Sequence, residues 1–245
     1  MEQLSLDLAF RPALGRADFL VAPANELAVR WIDRWPDWPG PLLALVGPAG
    51  SGKTHLTQVW RAAAAAVEVD PEDLGRREPR ALLGGAKAAV LDDLEPALAA
   101  APEREAALFH LLGLLGERAG YLLITGREAP ARWRLRLADL RSRLSAAQVA
   151  ALGPPDDGLI AAVMVKLFAD RQLSVGEEVI RYLLPRMERS FAAASALVEA
   201  IDRTSLARRR PITISVVRSV LATGDEDEAG AGALDSREGA ASTGA

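Results

Sequence analysis

Residues 42–54 read LLALVGPAGSGKT, and this stretch decides the fold. Leu42 to Val46 form a continuous apolar run, the pattern of a strand buried on both faces in a parallel sheet. Gly47-Pro48-Ala49-Gly50-Ser51-Gly52-Lys53-Thr54 follows at once and matches the phosphate-loop pattern in full. The next stretch, through Ala62 to Ala66, favours helix. Strand, glycine loop and helix thus stand in the order that phosphate binding needs. The glycines let the backbone curl so that its N–H groups and the helix N-terminus face an anion. Lys53 is expected to reach the outer phosphates and the Thr54 hydroxyl to ligate magnesium. His55 follows directly and is counted with the nucleotide-binding stretch; on the first helical turn its side chain reads as a packing residue rather than a catalyst.

A phosphate cradle needs a second magnesium partner at the end of a neighbouring strand. Ala88-Ala89-Val90-Leu91-Asp92-Asp93 supplies a short apolar strand ending in two carboxylates. Asp92 is placed to hold the magnesium shell and Asp93 to polarise an attacking water. Tyr121-Leu122-Leu123-Ile124-Thr125 reads as a third buried strand. Parallel strand ends open on one edge, so Thr125 is placed to bond the water or the γ-phosphate.

Composition narrows the setting. A chain of 245 residues builds one good core, with room for a small second domain. It has no cysteine, which removes disulfides and thiolate metal sites and suits a reducing, cytoplasmic setting. No apolar run approaches the roughly 20 residues of a membrane helix, and Glu2 and Asp7 stand where a signal peptide carries basic residues. The net charge of -4 is uneven. Residues 224–245 carry six acidic residues and one arginine, so the remainder sums to about +1. That acidic, Gly- and Ala-rich stretch reads as a disordered tail. Arginines cluster at Arg132 to Arg143 and Arg203 to Arg210, short of the basic stripe of a DNA-binding domain.

From Phe19 to Leu221 the chain resembles the AAA+ ATPases, and within them the DnaA family. GKTHL after the loop, the double Asp and LADLRSRLS carry the likeness. The resemblance implies an α/β fold, a P-loop AAA+ parallel sheet flanked by helices and followed by a small α-helical lid. It implies that Leu140-Arg141-Ser142-Arg143-Leu144 holds an arginine finger, Arg143, which completes a neighbour's site in trans. It implies that Arg189, in Met187-Glu188-Arg189-Ser190-Phe191, faces the nucleotide from the lid. The segment Phe19 to Asn25 resembles the family's approach to the adenine pocket, while Trp31 and Trp35, at i and i+4 on the next helix, read as core packing.

Two departures point to the Hda type within this family. The chain passes from the lid to an acidic tail where initiators have a helix-turn-helix domain, and its P-loop begins by Gly47. The stretch Val67 to Lys87 leaves little room for the helical insertion that initiators use on DNA. A further departure is Arg127, two places after Thr125, where the family often carries an acidic or amide residue.

Hda-type proteins begin with a Gln-Leu-x-Leu peptide that docks on the sliding clamp, and Gln3, Leu4, Leu6 and Leu8 fit that form. In an extended segment the leucines share one face, so an edge strand of the chain's own sheet is the alternative. The expected organisation is a clamp-binding peptide at 1–10, a nucleotide-binding domain at 11–153, a lid at 154–223 and the acidic tail at 224–245. The resemblance implies bound ADP or ATP with magnesium, and as partners the sliding clamp and the initiator DnaA. DNA contact is indirect, homo-oligomers are open to it, and no membrane is involved. The implied function is stimulation of ATP hydrolysis by DnaA, repressing re-initiation. A helicase or clamp loader subunit using Asp93 for its own turnover is the alternative.

Overall fold

The structure is a computed structural model, which describes residues 20–208 and 212–222. Gln3, Leu4, Leu6, Leu8 and the acidic tail lie outside the described residues. Two compact units divide between Asp156 and Asp157, where the sequence reading drew its boundary after residue 153.

The first unit runs α1 (Glu26–Asp33), β1 (Leu42–Val46), α2 (Lys53–Ala64), β2 (Val67–Glu68), α3 (Pro79–Leu83), β3 (Ala88–Leu91), α4 (Leu94–Ala100), α5 (Arg104–Glu117), β4 (Tyr121–Gly126), α6 (Ala138–Ser145) and β5 (Gln148–Ala151). Its strands are parallel, in the order β2-β3-β4-β1-β5. The double-Asp strand is expected beside the phosphate-loop strand. That is corrected: β4 lies between them, pairing with β1 on one side and β3 on the other.

The apolar runs are explained by what covers them. Along β1 successive side chains point to opposite faces. Leu43 and Leu45 join Ile32, Leu56 and Trp60 on the α1/α2 side, while Leu42, Ala44 and Val46 join Leu94, Leu108 and Leu140 on the α4/α5/α6 side. β3 and β4 split in the same way, with Val90 and Leu123 on the first face and Leu91 and Ile124 on the second. A strand covered by helices on both faces has no polar side to show, hence the unbroken runs. Leu45 is fully buried, and its truncation to alanine would cost about 2–5 kcal/mol.

An aromatic group closes the outer end of the first face. Trp38 stacks on Trp60 at 5.2 Å between centroids, and Trp35 meets Trp60 edge-on at 6.2 Å. Trp31 and Trp35 both pack against this cluster, but only Trp31 lies on α1, which ends at Asp33. Asn25 clips the preceding turn: its Oδ1 accepts from the Ala22 N–H and its Nδ2 donates to the Leu20 carbonyl, both at 2.9 Å. The stretch after α2 holds only β2, one 3-10 turn and the five-residue α3 before β3 begins.

The second unit is helical: α7 (Asp157–Asp170), α8 (Glu177–Leu183), α9 (Phe191–Arg208) and a helix over 214–222. Met164, Phe168, Leu183, Val198, Ile201 and Val217 form its own core.

Candidate functional site

The loop leaving β1 is shaped by close approach. A Cβ on Gly47 would stand 2.3 Å from the Leu152 carbonyl oxygen, so no larger residue fits beside the chain leaving β5. Gly52, at φ +95°, turns the loop into α2, whose first residue is Lys53. The Lys53 ammonium is almost buried and donates to the carbonyls of Gly47 and Pro48, each at 2.8 Å. Desolvation lowers its pKa below 10.5, aided by the charge of Arg127 and opposed by Asp93, Asp92 and Glu95. Ser51 Oγ is buried with no hydrogen-bond partner. A cradle floored by glycine, an orphaned hydroxyl and a lysine folded onto its own loop fit a phosphate chain.

Beside this loop, three segments meet at one carboxylate. Thr54 Oγ1 donates to Asp92 Oδ2 at 2.7 Å, and Thr125 Oγ1 donates to Asp92 Oδ1 at 2.6 Å. Thr125 Oγ1 also accepts the Asp93 N–H at 2.8 Å. The insertion of β4 between β1 and β3 is what brings Thr125 to Asp92. A hydroxyl and a carboxylate are hard oxygen donors suited to magnesium, which keeps several waters and needs only one or two carboxylates. Among the described residues no group of three or more His, Cys, Asp and Glu makes a separate metal cage. Asp93 has φ +48° and makes no side-chain bond as the N-cap of α4. Aspartate tolerates that left-handed conformation better than most residues, and it leaves the carboxylate available for chemistry.

The other residues named from sequence divide. His55 was read as packing; this is corrected, because it is exposed on α2 while Leu56, Thr57, Val59 and Trp60 are buried. Arg143 is exposed on α6 with its guanidinium 4.5 Å from the centroid of the Phe109 ring. It is therefore not part of the Lys53–Asp92–Thr125 cluster. Arg141, two residues earlier, donates to the Leu135 carbonyl at 3.4 Å. Arg189 lies in the second unit and grips Asp157 with two bonds, at 2.6 and 3.2 Å. That hydrogen-bonded pairing holds the Asp157 carboxyl below 3.8 and raises the Arg189 guanidinium.

Two carboxylates that position the site were missed. Glu95 Oε2 accepts the N–H groups of Arg127 at 2.6 Å and Glu128 at 3.0 Å, fixing the chain as it leaves β4. Buried Glu105 accepts the N–H groups of Arg136 and Leu137, at 3.0 and 2.7 Å, just before α6. Their partners lie about thirty residues away, so no local pattern marks them.

Comparison with known proteins bears on the fold. Residues 159–221 match the family model described as Hda, lid domain. Domain III of the replication initiation protein DnaA from Thermotoga maritima superposes with a TM-score of 0.75 at 18% identity, covering 87% of this chain and 98% of that one. A replication initiator DnaA bound to AMPPCP and single-stranded DNA has a TM-score of 0.66 at 18% identity, covering 82% of this chain and 69% of that one. AMPPCP-bound DnaA from Aquifex aeolicus has a TM-score of 0.64 at 19% identity, covering 79% and 66%. The second unit thus matches an Hda lid domain over residues 159–221, and the chain shares the fold of DnaA domain III.

Proposed function

We propose that this protein is a nucleotide-bound regulator that acts on the ATP site of the initiator DnaA. Docked on the DNA-loaded sliding clamp through Gln3, Leu4, Leu6 and Leu8, it presents Arg143 in trans, stimulates ATP hydrolysis by DnaA and so represses re-initiation. The observation that carries this reading is the pairing of an Hda lid with an exposed Arg143 that has no carboxylate partner among the described residues. In this role the guanidinium stabilises charge on the phosphoryl group moving in the partner's site.

The protein's own site holds ADP or ATP. Lys53 and the Gly47–Thr54 loop bind the phosphates, and Thr54 and Asp92 would hold magnesium; for Arg189 a role toward the nucleotide is what the family resemblance implies. Magnesium there would neutralise phosphate charge, while Asp93 and Thr125 orient a water. The intact Thr54–Asp92–Thr125 cluster supports a second reading, a helicase or clamp loader subunit with its own turnover.

Hydrolysis of ATP by DnaA, measured with DNA-loaded clamp, separates the two. Arg143→Ala is expected to lose at least about 10³-fold of the stimulation, and Arg141→Ala to retain it. Full stimulation by Arg143→Ala, with rapid intrinsic turnover, would move the loader reading ahead. Gln3→Ala combined with Leu6→Ala is expected to abolish clamp capture and spare ADP binding. Undiminished capture by that double variant would return the N-terminal segment to an edge strand.

A further inference from the structure

Arg143 rests on an aromatic ring where other arginines of this chain are tied to oxygen. Its guanidinium carbon stands 4.5 Å from the centroid of the Phe109 ring, and it has no hydrogen-bond or ion-pair partner among the described residues. Arg141, on the same helix, donates to the Leu135 carbonyl, and Arg189 is spent on both oxygens of Asp157. A ring face attracts a cation through its quadrupole and takes up none of its N–H groups. The charge and the donor fork of Arg143 therefore stay available to an incoming anion.

The ring is itself anchored. Phe109 is half-buried against the core that holds Leu108, Leu140 and Leu144, so both helices share one packed layer. Glu105 stands four residues before Phe109 on α5, a spacing that puts the two side chains on one face. Glu105 accepts the N–H groups of Arg136 and Leu137 just before α6 begins. One stripe of α5 thus sets where α6 starts and holds the arginine near its end. A free arginine loses rotamer freedom when it engages a phosphate, and a side chain already resting on a ring loses less. We propose that Phe109 is a positioning residue for Arg143, holding the guanidinium ordered but chemically unspent for the phosphoryl group in a partner's site. The proposal rests on the reading of Arg143 as a finger acting in trans and adds the group that aims it.

Hydrolysis of ATP by DnaA, with the full chain titrated in the presence of DNA-loaded clamp, tests this. Phe109→Leu keeps the apolar cover and removes the ring face, and it is expected to lower the maximal stimulated rate by about three- to tenfold. The concentration that half-saturates the stimulation should hold, since an aiming defect acts on the transition state and leaves docking alone. Partial unfolding would do the reverse, reducing the active fraction and raising that concentration. Phe109→Tyr restores a ring face and should stimulate within about twofold of wild type. Unfolding temperature and ADP binding, measured on each variant, report that it is folded. A wild-type maximal rate in Phe109→Leu, an equal loss in Phe109→Tyr, or a loss confined to the half-saturating concentration overturns the role of Phe109 and leaves the finger standing. Full stimulation by Arg143→Ala overturns the finger itself, and this proposal with it.

Discussion

Thr54 and Asp92, 38 residues apart in the chain, meet through a 2.7 Å hydrogen bond between Oγ1 and Oδ2. That contact ties the first turn of α2 to the end of β3 across the intervening β4. Thr125, on β4, takes the other oxygen of the same carboxylate. The two hydroxyls orient Asp92 by bonding both of its oxygens, which sets the direction a bound cation would meet.

Thr125→Val keeps shape and removes the hydroxyl that joins Asp92 to the Asp93 N–H. Thr125 is 0% exposed, so the loss leaves buried polar groups without their partner. A cost of about 1–3 kcal/mol is expected, read as a fall in unfolding temperature of roughly 2–4 °C per kcal/mol. An unshifted melt would mean that water replaces the hydroxyl.

Gly47→Ala drives a methyl into the Leu152 carbonyl, backbone against backbone. A destabilisation of about 1–3 kcal/mol or more is expected, together with lost ADP binding. Gly85 has open space where a Cβ would stand, so Gly85→Ala is the matched control and should melt like the wild type.

Glu105→Ala strips the buried carboxylate from the Arg136 and Leu137 N–H groups that precede α6. A loss of about 2 kcal/mol or more is expected by denaturant unfolding. Because α6 carries Arg143, the proposed stimulation of DnaA, if it is this chain's function, should fall further than ADP binding does. A parallel fall in both would reduce Glu105 to a stability role.

Lys53 predicts an alkaline signature. Burial lowers its pKa in the folded state, so below 10.5 and above the lowered value the unfolded chain holds more protons. Stability should therefore rise with pH through that window relative to Lys53→Met. Bound ADP, whose phosphates favour the ammonium, should flatten the rise. Urea midpoints for both proteins across the window read this directly, and a falling difference would reverse the assignment.

Asp157 is the hydrogen-bonded partner of Arg189. Its carboxyl is held below 3.8, so its contribution is present at neutral pH and lost as pH falls through the lowered value. The pair is exposed and screened, so Asp157→Asn should leave the melting temperature at neutral pH nearly unchanged. If Arg189 serves the nucleotide, freeing it should raise ADP affinity and Arg189→Ala should lower it. Weaker binding by Asp157→Asn would place Asp157 itself in the binding machinery.

Local chemistry made much of this protein readable in advance. The phosphate loop, the strands at Leu42, Ala88 and Tyr121 and the double Asp are written in contiguous residues, because turn glycines and two-sided burial act over a few positions. Two strands were not legible: β2 has only two residues, and β5, Gln148–Ala151, opens on Gln and is only partly buried, so neither shows an apolar run. Tertiary structure alone decided that β4 enters between β1 and β3, that His55 faces solvent, and that Glu95 and Glu105 hold distant backbone amides. The reason is range. A run of leucines requires cover on both faces but does not choose its neighbour, and a carboxylate requires donors without naming the segment that brings them. Those choices are made only when the whole sheet packs against its helices.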